Sequence, residues 1–145
     1  MALSMKAKKA ERSEAAWPKS IAEEFEKNQQ NGCVGTTLLS EDDRVRVWDI
    51  RLAPGERIGF HRHQLDYFWT AVTAGRARSH QQDGSTVESE YYPGETRHES
   101  YRAGEFKIHD LENIGDHDLV FTTVEFVRSA NAPLAVPDKI RLVAA

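Results

Sequence analysis

The residues of this 145-residue chain best suited to chemistry are three of its six histidines. His61 and His63 stand two apart beside the run Arg57-Ile58-Gly59-Phe60. In an extended strand successive side chains alternate, so residues at this spacing leave the same face. Two neutral imidazoles on one face can converge on a divalent ion such as Fe, Zn, Ni, Cu or Mn. Spacing alone also fits a surface pair or a hydrogen-bonded pair, so the surroundings must decide. His109, in Lys107-Ile108-His109-Asp110, is the third candidate. His98 alternates with Thr96 and Ser100, and its side chain faces either the interior or the outside. His80 and His117 fall at a strand end and beside a turn and read as solvent-facing. Cys33, the single cysteine, reads as a small buried hydrophobe and not as a nucleophile.

Most of the chain has the period of β-structure. From Cys33 onward, β-branched and aromatic residues come in short runs separated by turn signals. Strands are expected over Val34–Leu39, Arg44–Leu52, Arg57–His61, Asp66–Thr73, Arg76–Gln82, Thr86–Tyr92, Thr96–Tyr101, Glu105–Leu111 and Leu119–Val127. Turns at Pro54-Gly55, Ala74-Gly75, Asp83-Gly84, Pro93-Gly94 and Ala103-Gly104 separate several of them. This rhythm predicts an all-β sandwich or barrel. In Arg44–Leu52 the apolar side changes face between Val47 and Trp48, which predicts a bulge there or burial of both faces. Ahead of the barrel, Trp17-Pro18 and the pair Ile21 and Phe25 at i, i+4 predict a short helix ending at Asn31-Gly32. The expected organisation is a flexible segment over 1–16, a helix over 17–32, a barrel over 33–129 and a C-terminal arm over 130–145. Ile140, Leu142 and Val143 of that arm should pack on the barrel or on a second subunit.

Composition narrows the function classes. A length of 145 residues with 39% hydrophobic and 29% charged residues suits one soluble domain with a core of its own. A net charge of −4 argues against a surface built to neutralise nucleic-acid phosphates. A lone cysteine argues against a disulfide framework, and no apolar run reaches the length of a secretory signal or a membrane span. These features predict a cytoplasmic protein without nucleic-acid or membrane partners.

The histidines also sit within a larger pattern. Gly55, five residues, His61-Arg62-His63, four residues, Phe68, six residues and Gly75 resemble the first motif of the cupin superfamily. Gly94, Arg102-Ala103-Gly104, His109 and Asn113 resemble its second motif more loosely, so the likeness runs from about Arg44 to Val127. Within that superfamily, Leu65-Asp66-Tyr67-Phe68-Trp69 and His109-Asp110-Leu111-Glu112-Asn113-Ile114-Gly115 resemble the small bacterial β-alanine degradation proteins. The resemblance implies a jelly-roll β-barrel, or double-stranded β-helix, with a divalent metal held by His61, His63 and His109. It puts Phe68 where the family carries an acidic ligand. The expected pocket is lined by Phe60, Phe68 and Val72, with Arg57 or Arg62 near the mouth to favour a compact anionic ligand, Asp66 as the candidate neighbour of the metal and His98 joining it only if its side chain faces inward. Tyr67 and Trp69 are expected to point away from Phe68 and, with Trp48, to offer apolar area for a homodimer. Asn113 should fix the turn before the last strand. The function implied is metal-dependent chemistry, dioxygenase-like in character, on a small organic acid or related metabolite. The alternative is a non-catalytic small-molecule sensor built on the same pocket.

Overall fold

The computed structural model describes residues 10–143 and consists of two five-stranded antiparallel sheets packed face to face. The strands are β1 (Ala10–Ser13), β2 (Thr37–Glu41), β3 (Val45–Leu52), β4 (Arg57–His63), β5 (Tyr67–Ala71), β6 (Gly75–His80), β7 (Thr86–Tyr91), β8 (Thr96–Glu99), β9 (Lys107–Asn113) and β10 (Leu119–Phe126). One helix, α1 (Lys19–Lys27), precedes β2, and a single 3-10 turn, Asp138–Ile140, follows β10. The first sheet has the order β1-β7-β6-β9-β4 and the second β2-β3-β10-β5-β8. Apart from β1, every strand overlaps one of the runs expected from the sequence. Gly55 and Gly94 take positive φ of 84° and 87° in the two Pro-Gly turns, a backbone region that side chains disfavour.

The structure corrects several expectations at the ends of the chain. Residues 1–9 of the segment expected to be flexible lie outside the described residues, whereas Ala10–Ser13 pairs with β7. Helix α1 stops at Lys27, before Asn31-Gly32. The Asn28 and Asn31 side chains donate to the Phe60 carbonyl at 3.1 and 2.9 Å, and the Asn31 carbonyl accepts from Arg62 N at 2.7 Å. The chain after α1 is thus drawn along the edge of β4 and does not continue as a helix. In the C-terminal arm Ile140 packs beside Val34, Leu38 and Trp48, while Leu142 and Val143 are 61% and 82% exposed.

The core lies between the sheets. Ile50, Leu52, Ala71, Ala77, Leu111, Leu119 and Phe121 fill one end, and Val34, Leu38 and Trp48 form a second cluster. Strand β3 pairs with β10 without interruption from Val45 to Leu52, so Arg46, Trp48, Ile50 and Leu52 all point inward. The face change expected at Val47-Trp48 does not occur within β3. Arg46 takes the inward position that periodicity denies a charge, and Glu41 meets it at 2.6 Å. The irregularity lies across from it, in β2, between Leu38 and Ser40.

Asn113, 1% exposed, performs the turn-fixing role expected of it. Its amide nitrogen donates to the carbonyls of Leu52 and His117 at 2.9 Å each, and its oxygen accepts from Gly115 N. A carboxylate cannot donate, so Asn113→Asp should cost about 2–4 kcal/mol in urea denaturation. Glu125, buried on the inner face of β10, accepts from Trp48 Nε1 at 2.8 Å, and burial lifts its carboxyl from 4.5 to about 7. The folded chain therefore binds that proton more tightly than the unfolded chain. The resulting stability is complete below 4.5 and is lost as pH rises through about 7, a change of about 3 kcal/mol. Glu125→Gln should flatten this part of the pH profile of denaturation and make the protein more stable than wild type at about pH 8.

Candidate metal centre

Strand β4 is irregular where it meets β9, and that irregularity sets the site. Ile58 faces Leu111 and His61 faces His109, so Gly59 and Phe60 together oppose Asp110 alone. A regular strand would send residues three apart to opposite faces; the bulge lets Ile58, His61 and His63 all point into the barrel. Phe60 therefore points outward. It is fully buried there against Trp17 and Phe25, with ring centroids 5.5 and 5.3 Å away, and α1 covers it.

The sequence expectation for His61, His63 and His109 is matched in position. Their ligand-capable nitrogens all lie within 4.8 Å of one another, and the ring centroids are 4.8 to 5.0 Å apart. The Gly59 carbonyl, 2.8 Å from His61 Nδ1, can only accept, so the proton sits on Nδ1 and Nε2 keeps its lone pair. Ser79 Oγ donates to the Asp110 carbonyl at 2.6 Å and lies 3.5 Å from His109 Nδ1. His63 Nε2 and His109 Nε2 face each other at 3.1 Å, and the buried His63 Nδ1 has no hydrogen-bond partner. Burial pulls the His61 imidazole down to about 4 and holds His63 and His109 well below their ordinary value. All three are neutral at neutral pH, the state in which imidazole binds a metal. Nitrogens about 2.1 Å from one ion and at right angles stand about 3.0 Å apart, so the facing pair fits a shared ion.

The histidines line a cavity of about 430 Å³ whose other walls are largely apolar, with Val34, Ile50, Leu111 and Phe121 deep inside. Tyr67 stacks on His63 with centroids 4.1 Å apart and planes 12° apart, and Trp69 and Tyr91 stand above. A wider recess of about 740 Å³ shares Trp69, Tyr91, Leu111 and His109 with this cavity and adds Ser79, Gln81, Arg97, Glu99 and Lys107.

Most of the expected pocket residues lie elsewhere. Tyr67 and Trp69 face inward, so Phe68 faces outward, against His98 and Phe126 at 5.4 and 6.1 Å. His98, paired with Phe68 across the strands, is on that outer face too. Val72 is 53% exposed. Asp66 lies before β5, where its carboxylate accepts from Tyr101 N at 2.9 Å. Arg57 lies on the outside of the first sheet, bridging Glu24 and Asp110 at 2.7 Å each, and Arg62 stacks on Phe106 at 3.7 Å. His80 is not solvent-facing: it is 8% exposed and its Nδ1 lies 2.8 Å from Asp110. His117 is exposed as expected. Trp48 and Tyr67, 0% and 3% exposed, are core residues and offer no surface to a second subunit. The sequence reading missed Tyr67, Trp69, Tyr91, Arg97 and Lys107 as cavity residues. For β5 the faces Tyr67-Trp69-Ala71 and Phe68-Thr70-Val72 are both apolar, so periodicity could not orient it.

No protein-family profile matches the chain, and no curated protein matches it. Solved structures do. A cupin domain from Bordetella pertussis Tohama I is 29% identical at a TM-score of 0.55, with 62% of this chain and 88% of that one covered. A conserved protein with a double-stranded β-helix domain from Klebsiella pneumoniae is 24% identical at 0.51, covering 70% and 76%. An RmlC-like cupin protein from Methanocaldococcus jannaschii is 18% identical at 0.50, covering 62% and 76%. These likenesses do not reach the finer resemblance to the β-alanine degradation proteins. With the two antiparallel sheets and their inward histidines, they show that this chain has the double-stranded β-helix fold of cupin-domain proteins.

Proposed function

We propose that this protein is a metal-dependent enzyme acting on a small organic acid or related metabolite. The observation that carries the proposal is the convergence of three neutral imidazoles, His61 and His63 buried and His109 half-buried, within 4.8 Å in an otherwise apolar cavity. His61, His63 and His109 would hold a divalent ion, which would supply Lewis-acid polarisation of a bound oxygen, or oxygen chemistry if it is iron. The protein's own groups do the rest. Gly59 O fixes the His61 tautomer, Tyr67 holds the His63 ring by stacking, and Ser79 abuts His109. Ile50, Leu111 and Phe121 exclude water from the ligand side.

Elemental analysis of protein purified without a histidine tag should find about one equivalent of metal, lost in a His61→Ala/His109→Ala variant. Wild type that remains metal-free after reconstitution would overturn the reading. Oxygen uptake with Fe(II) and a panel of β-dicarbonyls, thiols and amino acids tests turnover; a purely binding protein consumes none. The orientation of β5 gives a second test. Phe68→Glu points away from the histidines and should leave metal affinity within about twofold, as outer-face substitutions generally do. Tyr67→Glu brings a carboxylate beside His63 and should tighten metal binding, read by competition with a chromogenic chelator.

A further inference from the structure

The recess above the histidines carries charges that the metal reading does not use. Arg97 and Glu99 of β8 pair across the strands with Trp69 and Tyr67, so all four share the inward face. Lys107 shares the inner face of β9 with His109 and pairs with His63. Among the described residues neither Arg97 nor Lys107 takes part in an ion pair within 4 Å, although the outer face of the first sheet, the sheet to which Lys107 belongs, is laced with them, Arg78 with Glu88 and Glu112 among others. A half-buried ammonium without a fixed partner is unusual, because losing water costs free energy that a counter-charge normally offsets. These charges stand on a recess that reaches His109 and is walled by Trp69 and Tyr91, which meet edge to face with centroids 5.5 Å apart.

We propose that Lys107 and Arg97 form the anchor for the carboxylate of a monoanionic ligand, whose apolar, aromatic-sized body lies against the edge-to-face pair Trp69 and Tyr91 and extends towards the histidines. The charges set the class: two cations and Glu99 leave one net positive charge, which matches one carboxylate and disfavours a dianion such as a phosphate ester. The walls set the body, since Trp69, Tyr91, Leu111 and Val87 offer apolar area, while the Ser79 hydroxyl and the Gln81 amide on the same wall are already bonded, to Asp110 O and to Ser79 Oγ. This rests on the cavity being the ligand site and deepens the function proposed for it. It also moves the anionic anchor from Arg57 and Arg62, which the fold commits to the opposite side of the first sheet.

The probes are 3-phenylpropionate and its neutral amide, titrated by calorimetry into chelator-treated and zinc-loaded protein. The acid should bind about tenfold or more tighter than the amide in both states, the size expected of charged hydrogen bonds at a partly desolvated site. Lys107→Gln/Arg97→Gln should erase that preference and leave the amide unchanged, while Lys107→Arg keeps it. Arg97→Gln alone, at an exposed edge position, should weaken the acid selectively even where Lys107→Gln does not fold. Equal binding of acid and amide, or binding of neither, would overturn the proposal. So would a preference that vanishes on chelation but survives in the double variant, because the carboxylate would then be bound by the ion. Protein that takes up no zinc yet keeps the preference refutes the metal reading and upholds the anchor.

Discussion

Between Ile58 and His61 the strand β4 carries one residue more than its partner β9, and the rest of the site depends on that mismatch. It shifts the alternation of side chains by one position within a single strand. Upstream, Ile58 contributes to the apolar end of the barrel; downstream, His61 and His63 enter the cavity. The bulged residues are used as well. The Gly59 carbonyl turns to the His61 ring, and Phe60 becomes the anchor for α1. A β-carbon at Gly59 would come within 3.0 Å of a Glu24 carboxylate oxygen, so the helix packs directly against the bulge.

The two faces of the first sheet have opposite electrostatic characters. Inside, three imidazoles are neutral because nothing charged pairs with them and burial penalises the cation. Outside, Asp110, the residue after His109, is wholly buried yet bonded to Arg57 and His80, and Arg57 reaches on to Glu24 of the helix. A buried carboxylate is tolerable only when such partners replace its water. Helix α1 is thus tied through Arg57 to the strand that carries His109. A backbone pinned from behind by ion pairs gives the imidazole in front a fixed origin.

Much of this was legible in the sequence. The two-residue spacing of His61 and His63, the Pro-Gly turns and the glycine spacing of the first motif led to the barrel and to its three histidines. Reading failed where two faces look alike or where a charge lies inside. Tyr67-Phe68-Trp69 offers an aromatic on either face, and only pairing with β8 and β10 decides which enters the cavity. Arg46 breaks the apolar pattern of β3 because its partner Glu41 is supplied by another strand. His80 looked like a strand-end surface residue because Asp110, 30 positions later, is adjacent only in space. Arg97 and Lys107 carry no local sign of facing inward, since a cation on a strand ordinarily marks the solvent side.

The polypeptide before β2 also covers the borders of the first sheet. The edge of β4 is occupied by the residues that follow α1, and the edge of β7 by Ala10–Ser13, a four-residue strand of sequence Ala-Glu-Arg-Ser. Open strand edges are templates for indefinite stacking, and short, charged or covered edges suppress it. Both edges of the first sheet are thus covered by about twenty residues outside the barrel motif. Shortening the chain to the barrel would uncover both borders and remove the Glu24 carboxylate that holds Arg57 behind His109.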